Sequence, residues 1–239
     1  KTNRSYNLGV LYSDDGHNGL THSFFAQVLD SFKCECEKHG YDITFINHNV
    51  GWSGMTYLEH CRYRNMDGVC MVCADFYSIE VAELATSDIP CVTIDHAFNN
   101  RSCVMSENLQ GVQQLVRYAH EKGHRKIAFV HGQRSSVTEN RITGYYRALN
   151  ELNIDPRTDY LVDALYDSPT SGYQAMMQLM KLPDPPTCVL MPDDHSALGA
   201  MEAAGDLHLR VPEDVSIAGF DGNRLGQMLR PRLTTIKQD

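Results

Sequence analysis

Short apolar segments alternate with amphipathic segments along the first part of the chain. The apolar segments are rich in β-branched residues and bounded by polar or turn-forming residues, which is typical of buried strands. The predicted strands are YNLGVLY (6–12), YDITFIN (41–47), DGVCMVC (67–73) and PCVTID (90–95). Helices are predicted over about 21–39, 55–64 and 79–86. Strands separated by helices in this order predict βαβ units and a parallel sheet.

The same alternation restarts after residues 99–107. The later predicted strands are KIAFVHG (126–132), YLVDAL (160–165), TCVLMP (187–192) and DVSIAGF (214–220), with helices beginning near residues 109, 138, 171 and 194. We therefore predict an α/β fold of two Rossmann-like lobes with parallel sheets. The predicted lobes are 6–103 and 104–234, and residues 235–239 are predicted as a crossover segment that returns toward the first lobe.

Carboxylates directly follow several of the predicted strands. In RVPEDVSIAGFDG (210–222), Asp221 and Gly222 end an apolar run. Asp95 ends the fourth predicted strand, and Asp193 follows TCVLMP. Ligands in open parallel sheets bind at the carboxyl ends of strands, so these side chains are candidate ligand contacts. For Asp221 taken alone, a turn residue or a helix N-cap is an equally good interpretation.

The charge and the hydropathy of the chain exclude some classes of partner. The chain has 239 residues and a formal net charge of −9, whereas a surface that holds a nucleic-acid backbone is basic. Its apolar runs fall well short of the roughly 20 residues of a membrane-spanning helix, and no export signal heads the sequence. We expect no strong nucleic-acid contact by these residues and no membrane partner.

Eight cysteines raise the question of a metal site or of disulfides. Cys70 and Cys73 lie on a predicted strand at a spacing that points them to opposite faces. Cys34 and Cys36 lie in a predicted helix at a spacing that does not bring them together. Neither pair is accompanied by a second spaced pair of Cys or His. We expect reduced thiols in a cytoplasmic protein, no metal site and no cofactor.

Several motifs occur in the order and spacing found in the LacI/GalR transcription regulators. They are GHRKIAFVHG (123–132), RITGYYRAL (141–149), SGYQAM (171–176), PTCVLMPDDHSALGA (186–200), RVPEDVSIAGFDG (210–222) and LTTIKQ (233–238). Over nearly its whole length the chain resembles the effector-binding core of that family. The resemblance implies a type I periplasmic-binding-protein-like fold with the ligand cleft between the lobes. It also implies a DNA-binding headpiece before these residues and further chain after Asp239.

The resemblance assigns effector contacts in the second lobe. Arg141 matches the arginine of the family's R-x-x-G-aromatic motif, and Asp221 matches the aspartate of its GFD motif. Asp193 stands where the family has asparagine, so an acceptor-only carboxylate replaces an amide. Tyr166 falls near an aromatic residue that packs on the effector in the family.

The resemblance assigns a second group of contacts to the first lobe. They are the strand-end carboxylate Asp95, the aromatic pair Phe24 and Phe25, and the loop residues Ser13 and Asp14. The loop SDDGHNGLTHS (13–23) is longer than is usual in the family. The contact within this loop therefore stays open between Asp14, Asp15, His17 and His22.

These residue types suit a neutral polyol. An ionised carboxylate accepts two vicinal hydroxyl hydrogens, and a guanidinium donates to sugar oxygens in a planar fork. An aromatic ring covers the apolar face of a sugar. Because carboxylates outnumber arginines among the candidates, a strongly anionic ligand is disfavoured. We expect a neutral mono- or disaccharide as the effector.

The resemblance implies the effector-binding domain of a bacterial regulator that binds a small sugar or sugar derivative in the cleft. This regulator would be a homodimer that controls operator binding allosterically through its headpiece. The alternative is the periplasmic sugar-binding component of a transporter, which shares the fold. We do not expect an enzyme, because the sequence lacks the G-x-S-x-G, G-x-x-x-x-G-K-[ST] and G-x-G-x-x-G motifs.

Overall fold

Two five-stranded parallel sheets contain most of the strands of the protein. The computed structural model describes residues 4–13, 19–51 and 53–238. Its contacts divide the chain into two units, Lys1–Met105 and Ser106–Asp239, which we call the first lobe and the second lobe. The predicted α/β fold with two parallel-sheet lobes is confirmed.

The first lobe alternates strands and helices as predicted, with a small antiparallel hairpin inserted before its second helix. Its elements are β1 (Asn7–Tyr12), α1 (Ser23–Lys38), β2 (Asp42–Ile46), β3 (Asn49–Val50), β4 (Ser53–Gly54), α2 (Tyr57–Tyr63), β5 (Gly68–Cys73), α3 (Ile79–Thr86), β6 (Cys91–Ile94) and β7 (Ser102–Val104). The sheet order is β2-β1-β5-β6-β7, and β3 pairs with β4.

The second lobe repeats the same plan. Its elements are α4 (Asn108–Glu121), β8 (Ile127–His131), α5 (Ser136–Glu151), β9 (Leu161–Asp163), α6 (Pro169–Met180), β10 (Cys188–Leu190), α7 (Asp194–Asp206), β11 (Ser216–Asp221), α8 (Arg224–Met228) and β12 (Thr234–Lys237). The sheet order is β12-β11-β10-β8-β9.

Burial of the central strands on both faces explains their continuous apolar sequences. In β1, Val10 and Leu11 are fully buried, and they belong to hydrophobic clusters on opposite faces of the sheet. In the second sheet, Phe129 of β8 lies beside Leu190 of β10 in the parallel register. Helices that cover both faces of a parallel sheet leave little exposed strand surface, so few polar residues occur within these strands.

Hydroxyl and carboxylate side chains cap three of the helices that follow strands of the second sheet. Ser135, Ser168 and Asp193 each accept a backbone N–H from the first turn of α5, α6 and α7. In a parallel sheet these helix N-termini lie at the carboxyl ends of the strands. No helix in the described ranges is long and apolar enough to cross a bilayer.

Besides the β3–β4 hairpin, two strands of the parallel sheets, β7 and β12, lie outside the predicted set. All three residues of β7 are exposed, and β12 consists of hydroxyl-bearing and charged residues around one isoleucine, so neither has a long apolar run. β12 pairs with β11 from Ala218 and Thr234 to Asp221 and Lys237. Residues 235–237, which were predicted as part of a crossover segment, thus pair with β11 in the second sheet.

The eight cysteines are thiols in the structure. Burial raises the pKa of the Cys70 thiol and of the Cys188 thiol to about 12. Both therefore stay protonated at neutral pH and pack as small apolar side chains.

Helices α6 and α7 cross at two glycines with their backbones in close approach. A Cβ atom on Gly199 would overlap the carbonyl oxygen of Pro169, and one on Gly172 would overlap that of Ser196. Only a residue without a side chain permits this approach. The crossing holds the first turns of α6 and α7, and the residues that cap them, next to each other.

We predict that Gly199→Ala destabilises the second lobe by about 1–3 kcal/mol, because the added methyl group overpacks the α6–α7 crossing. Gly205→Ala on the same helix is the matched control, since nothing lies within 4 Å of a Cβ at that position. The control should be unchanged or up to about 1 kcal/mol more stable. Urea unfolding measures both, and an equal change in the two variants would contradict the packing argument.

Candidate functional site

Arg141 is a buried cation beside the carboxyl ends of β10 and β11. It projects from α5, and 4% of the residue is exposed. Its Nε donates to Asn108 Oδ1 at 2.7 Å, and its Nη1 donates to the carbonyl oxygen of Pro192 at 2.6 Å. These bonds fix the plane of the guanidinium and offset part of the cost of burying its charge. The second terminal nitrogen, Nη2, takes part in neither bond.

Aromatic rings flank the Arg141 guanidinium. Its Cζ lies 3.7 Å from the ring centroid of Phe220, the last apolar residue of β11, and 5.7 Å from that of Tyr166. The Tyr166 hydroxyl bonds to Thr138 Oγ1 at 2.9 Å, and its ring lies against Gly132, where a Cβ atom would overlap it. The rings add cation–π stabilisation and limit water around the charge.

Asp221 ends β11 in a backbone conformation that is rare for a residue with a side chain. Its φ is 106°, and its Oδ1 accepts a hydrogen bond from Gln238 Nε2 at 2.6 Å. The residue that caps α8 is Asn223, so the interpretation of Asp221 as a helix N-cap is wrong. A strained conformation of this kind persists only where the surroundings hold it.

The surroundings of Asp221 favour its neutral form. Loss of hydration raises the pKa of Asp221 to about 7 against the opposing charge of Arg141, and the Asp193 carboxylate adds to the rise. The hydrogen bond from Gln238 lowers the pKa in part. Hydroxyl groups that donate to this carboxylate would stabilise its ionised form.

Asp193 is the N-cap of α7, and its oxygens already bond to protein donors. Oδ1 accepts from the Ser196 N–H at 2.7 Å, while Oδ2 accepts from Ser196 Oγ at 3.0 Å and from the Asp167 N–H at 2.8 Å. Burial raises the pKa of Asp193, and the hydrogen bonds oppose this. The cap fixes the turn that presents the Pro192 carbonyl to Arg141.

Asp194 is a positioning residue that sequence reasoning did not select. It is 1% exposed, with Oδ1 accepting from Thr235 Oγ1 at 2.6 Å and Oδ2 accepting from the Asn223 N–H at 2.7 Å. A Cβ on Gly219 would overlap Oδ1, so the glycine in the GFDG sequence admits this carboxylate. Asp194 thereby joins α7, β12 and the turn after Asp221. In the sequence, the adjacent carboxylates of PDD were the feature that could have pointed to Asp194.

A histidine–carboxylate pair borders Asp193. His195 Nδ1 lies 2.5 Å from Asp167 Oδ1, and this bond raises the pKa of His195. Asp167 has φ of 54°, so the Asp193 bond to its N–H holds a strained turn. The sequence offered no pattern that joins residues so far apart in the chain.

The first-lobe candidates lie at the carboxyl edge of the first sheet. The Ser13 N–H bonds to the Cys73 carbonyl at 2.8 Å, just beyond β1 and at the end of β5. The Asp95 N–H bonds to the Val104 carbonyl at 2.8 Å, and its φ is 57°. Asp95 directly follows β6, and Asp221 is the last residue of β11. Both have a positive φ.

Phe24 and Phe25 form the first turn of α1, and both are half-buried. Their ring centroids are 5.2 Å apart. Phe25 also packs edge-on against Tyr12 at 5.7 Å and, with tilted rings, against His22 at 4.7 Å. His22 is buried, and its Nδ1 has no hydrogen-bond partner among the described residues. The predicted contact Asp14, with Asp15 and His17, lies outside the described residues.

The structure thus brings Arg141, Asp193, Asp221 and Tyr166 together in the second lobe. Asn108 and Gln238, which hold Arg141 and Asp221, were missing from the predicted set. Motif spacing indicates the residues that protrude from strand ends. It carries no information on the amides that orient them across 33 and 17 positions of sequence.

We predict that Asp194→Asn flattens the pH dependence of stability. The pKa of Asp194 is about 6 in the folded chain because burial removes hydration, against an unperturbed value near 3.9. Between these values the folded state binds more protons, so the free energy of unfolding falls as pH rises from about 4 to 6. One such group contributes up to about 1.4 kcal/mol per pH unit. Urea unfolding across this range should show a smaller slope in the variant, and an identical slope would refute the shift.

Comparison with known proteins identifies the family. Residues 116–239 match the family model described as a periplasmic binding protein-like domain. The HTH-type transcriptional repressor PurR of Edwardsiella ictaluri is 31% identical over 244 residues, covering 100% of this chain and 70% of PurR. The probable HTH-type transcriptional repressor ExuR of Bacillus subtilis is 30% identical over 240 residues, covering 98% of this chain and 70% of ExuR.

Solved structures share the fold. The transcriptional regulator CelR, in a complex with cellobiose, aligns with a TM-score of 0.82 at 22% identity, over 98% of this chain and 73% of that chain. The family model and the repressors together confirm the resemblance drawn from the sequence motifs. The chain belongs to the LacI/GalR family of transcriptional repressors and forms the effector-binding core of that family.

Proposed function

We propose that Arg141 and Asp221 bind the effector of this repressor, a neutral mono- or disaccharide, and that this binding controls the affinity of the intact protein for operator DNA. The observation that carries the proposal is the Arg141 guanidinium. It is fixed by Asn108 and Pro192 with Nη2 outside both bonds, and its charge opposes the rise that burial causes in the pKa of the Asp221 carboxyl. Such a preset donor and acceptor bind a ligand at little cost in reorganisation.

The chemistry of the pair suits vicinal hydroxyls. Arg141 Nη2 donates to a sugar oxygen, and the Asp221 carboxylate accepts from a neighbouring hydroxyl. Tyr166 covers an apolar sugar face from beside the guanidinium. Asp193 supports the site by capping α7 and by its charge. It is not proposed to contact the effector directly, because protein donors already bond to its oxygens.

We propose that the first-lobe residues supply the rest of the effector site. Asp95 and Ser13 offer a carboxylate and a hydroxyl at the strand ends, and Phe24 and Phe25 offer aromatic surface. The same assignment for Asp14 rests on the family resemblance alone.

The relatives support a role in transcriptional regulation. The PurR and ExuR relatives are transcriptional repressors, which favours a regulator over the transporter component. CelR is a regulator solved with cellobiose, which supports a saccharide. We therefore propose a cytoplasmic homodimer that contacts operator DNA through its headpiece, and not an enzyme.

We predict that a neutral saccharide raises the melting temperature of the 239-residue chain. The probes are D-glucose, cellobiose, D-galacturonate and hypoxanthine, each tested separately by thermal shift. A ligand at about 100 times its dissociation constant adds roughly 2.7 kcal/mol to the free energy of unfolding, which is readily measured. Stabilisation by galacturonate or hypoxanthine alone would overturn the proposal of a neutral sugar.

We predict that Asp221→Asn and Arg141→Lys each weaken binding of the stabilising saccharide by about tenfold to a hundredfold. Each variant loses a charge-assisted bond worth roughly 1.5–3 kcal/mol and keeps most of the side-chain volume. Titration calorimetry measures the affinities. The exposed residues Asp163 and Arg147 provide the controls Asp163→Asn and Arg147→Lys, which should bind as the parent does. Full affinity in Asp221→Asn would remove this residue from the site.

A further inference from the structure

The residues that hold Asp221 also reach the start of the second lobe. Asp221 Oδ1 accepts from Gln238 Nε2 at 2.6 Å, and the Asp221 carbonyl accepts from the Gln238 N–H at 3.2 Å. The other end of the same amide, Gln238 Oε1, accepts a hydrogen bond from Ser106 Oγ. One glutamine side chain therefore joins the carboxylate at the end of β11 to Ser106.

Arg141 reaches the same residue by a second route. Its Nε donates to Asn108 Oδ1 at 2.7 Å, and Asn108 Nδ2 donates to the Ser106 carbonyl at 3.2 Å. The Asn108 N–H donates to that carbonyl as well, at 2.7 Å. Asn108 is 2% exposed, so these bonds compete with little water.

Ser106 occupies a special place in the chain. It is the first residue of the second unit and directly follows Met105, the last residue of the first unit. α4 begins two residues later, at Asn108. A change in the bonds of Ser106 therefore acts on the peptide segment that joins the two units.

Each amide in this network has a defined polarity. An ionised carboxylate only accepts, so Gln238 presents its NH₂ group to Asp221 and its oxygen to the Ser106 hydroxyl. Neutralising Asp221 replaces a charge-assisted bond with a weaker one and loosens the orientation of the Gln238 amide. Asn108 is constrained in the same way, since its oxygen faces Arg141 and its NH₂ group faces the Ser106 carbonyl.

We propose that Gln238 and Asn108 are positioning residues that transmit the state of the effector site to Ser106, at the junction of the two units. The assignment of Asp221 and Arg141 to an effector rests on the proposed function, whereas the hydrogen-bond network lies entirely in described residues of the second lobe. The network makes the junction respond to whatever changes the charge or hydrogen bonding of Asp221 and Arg141.

Protonation of Asp221 is a probe of this coupling that requires no effector. The charged and titratable groups that act on Asp221 are Arg141, Asp193, Asp194 and Tyr166. Nuclear magnetic resonance follows the side-chain carboxyl carbon of Asp221 and the backbone amide of Ser106 in the 239-residue chain from pH 5 to 9. We expect the Ser106 amide to shift with the midpoint of the Asp221 carboxyl, and Asp221→Asn to abolish that shift.

Gln238→Leu separates transmission from the titration itself. Asp221 should still titrate, with a higher pKa because the hydrogen bond that lowers it is gone, but the Ser106 amide should lose the shift at that midpoint. Gln113→Leu is the matched control, since Gln113 also donates from Nε2 to a carboxylate, that of Glu151, at 3.5 Å. The control should leave both titrations as in the parent. Ser106→Ala removes the hydroxyl that donates to Gln238 Oε1. In this variant the Glu107 and Asn108 amides should lose the shift that accompanies Asp221 protonation.

A Ser106 shift that persists unchanged in Gln238→Leu would overturn the proposal, and so would a Ser106 amide in the parent chain that ignores Asp221. If Gln238→Leu does not fold, Ser106→Ala decides instead. A shift of the Glu107 and Asn108 amides that persists unchanged in that variant would overturn the proposal. Failure of every saccharide to bind would instead defeat the proposed function and leave these titrations as they are.

Discussion

The buried charge of Arg141 is the constraint on which the geometry of the second lobe depends. A guanidinium at 4% exposure is stable only if its surroundings replace the water it has lost. Its partners come from separate elements: Asn108 opens α4, the Pro192 carbonyl precedes α7, and Phe220 is the last apolar residue of β11. Arg141 therefore has its position only when these elements are packed together, and correct packing presets its remaining donor.

The carboxylates at the strand ends have different structural roles. Asp193 caps α7 and fixes the turn that supplies the Pro192 carbonyl, while Asp194 ties the same helix to β12 and to the residues after β11. Asp221 ends β11 with a positive φ, and burial raises the pKa of its carboxyl to about 7 against the opposing charge of Arg141. The protonation of Asp221 is therefore set by its burial, by the neighbouring charges and by the hydrogen bond from Gln238.

The sequence predicts the elements that a strong apolar pattern specifies. The runs that became β1, β5, β8 and β11 follow from burial on both faces. The apolar pattern does not predict β7 and β12, because they are short edge strands with polar or exposed side chains. In the site, Arg141 and Asp221 stand in motifs with a fixed spacing. Gln238 also lies in one of these motifs, LTTIKQ, whereas Asn108 lies outside them. Neither position reveals its role in the sequence, because the partner of a supporting amide depends on where the folded chain places it. The paired carboxylates of PDD were visible, but their separate roles depend on the N-cap geometry of α7.

A crystal structure of the 239-residue chain with the saccharide that stabilises it most would test directly whether Arg141 and Asp221 bind the effector. We expect sugar oxygens within hydrogen-bond distance, about 2.7–3.2 Å, of both Arg141 Nη2 and the Asp221 carboxylate, with Asn108 and the Pro192 carbonyl still bound to the guanidinium. A saccharide bound elsewhere on the chain, with Arg141 and Asp221 making only the contacts of the ligand-free state, would contradict it.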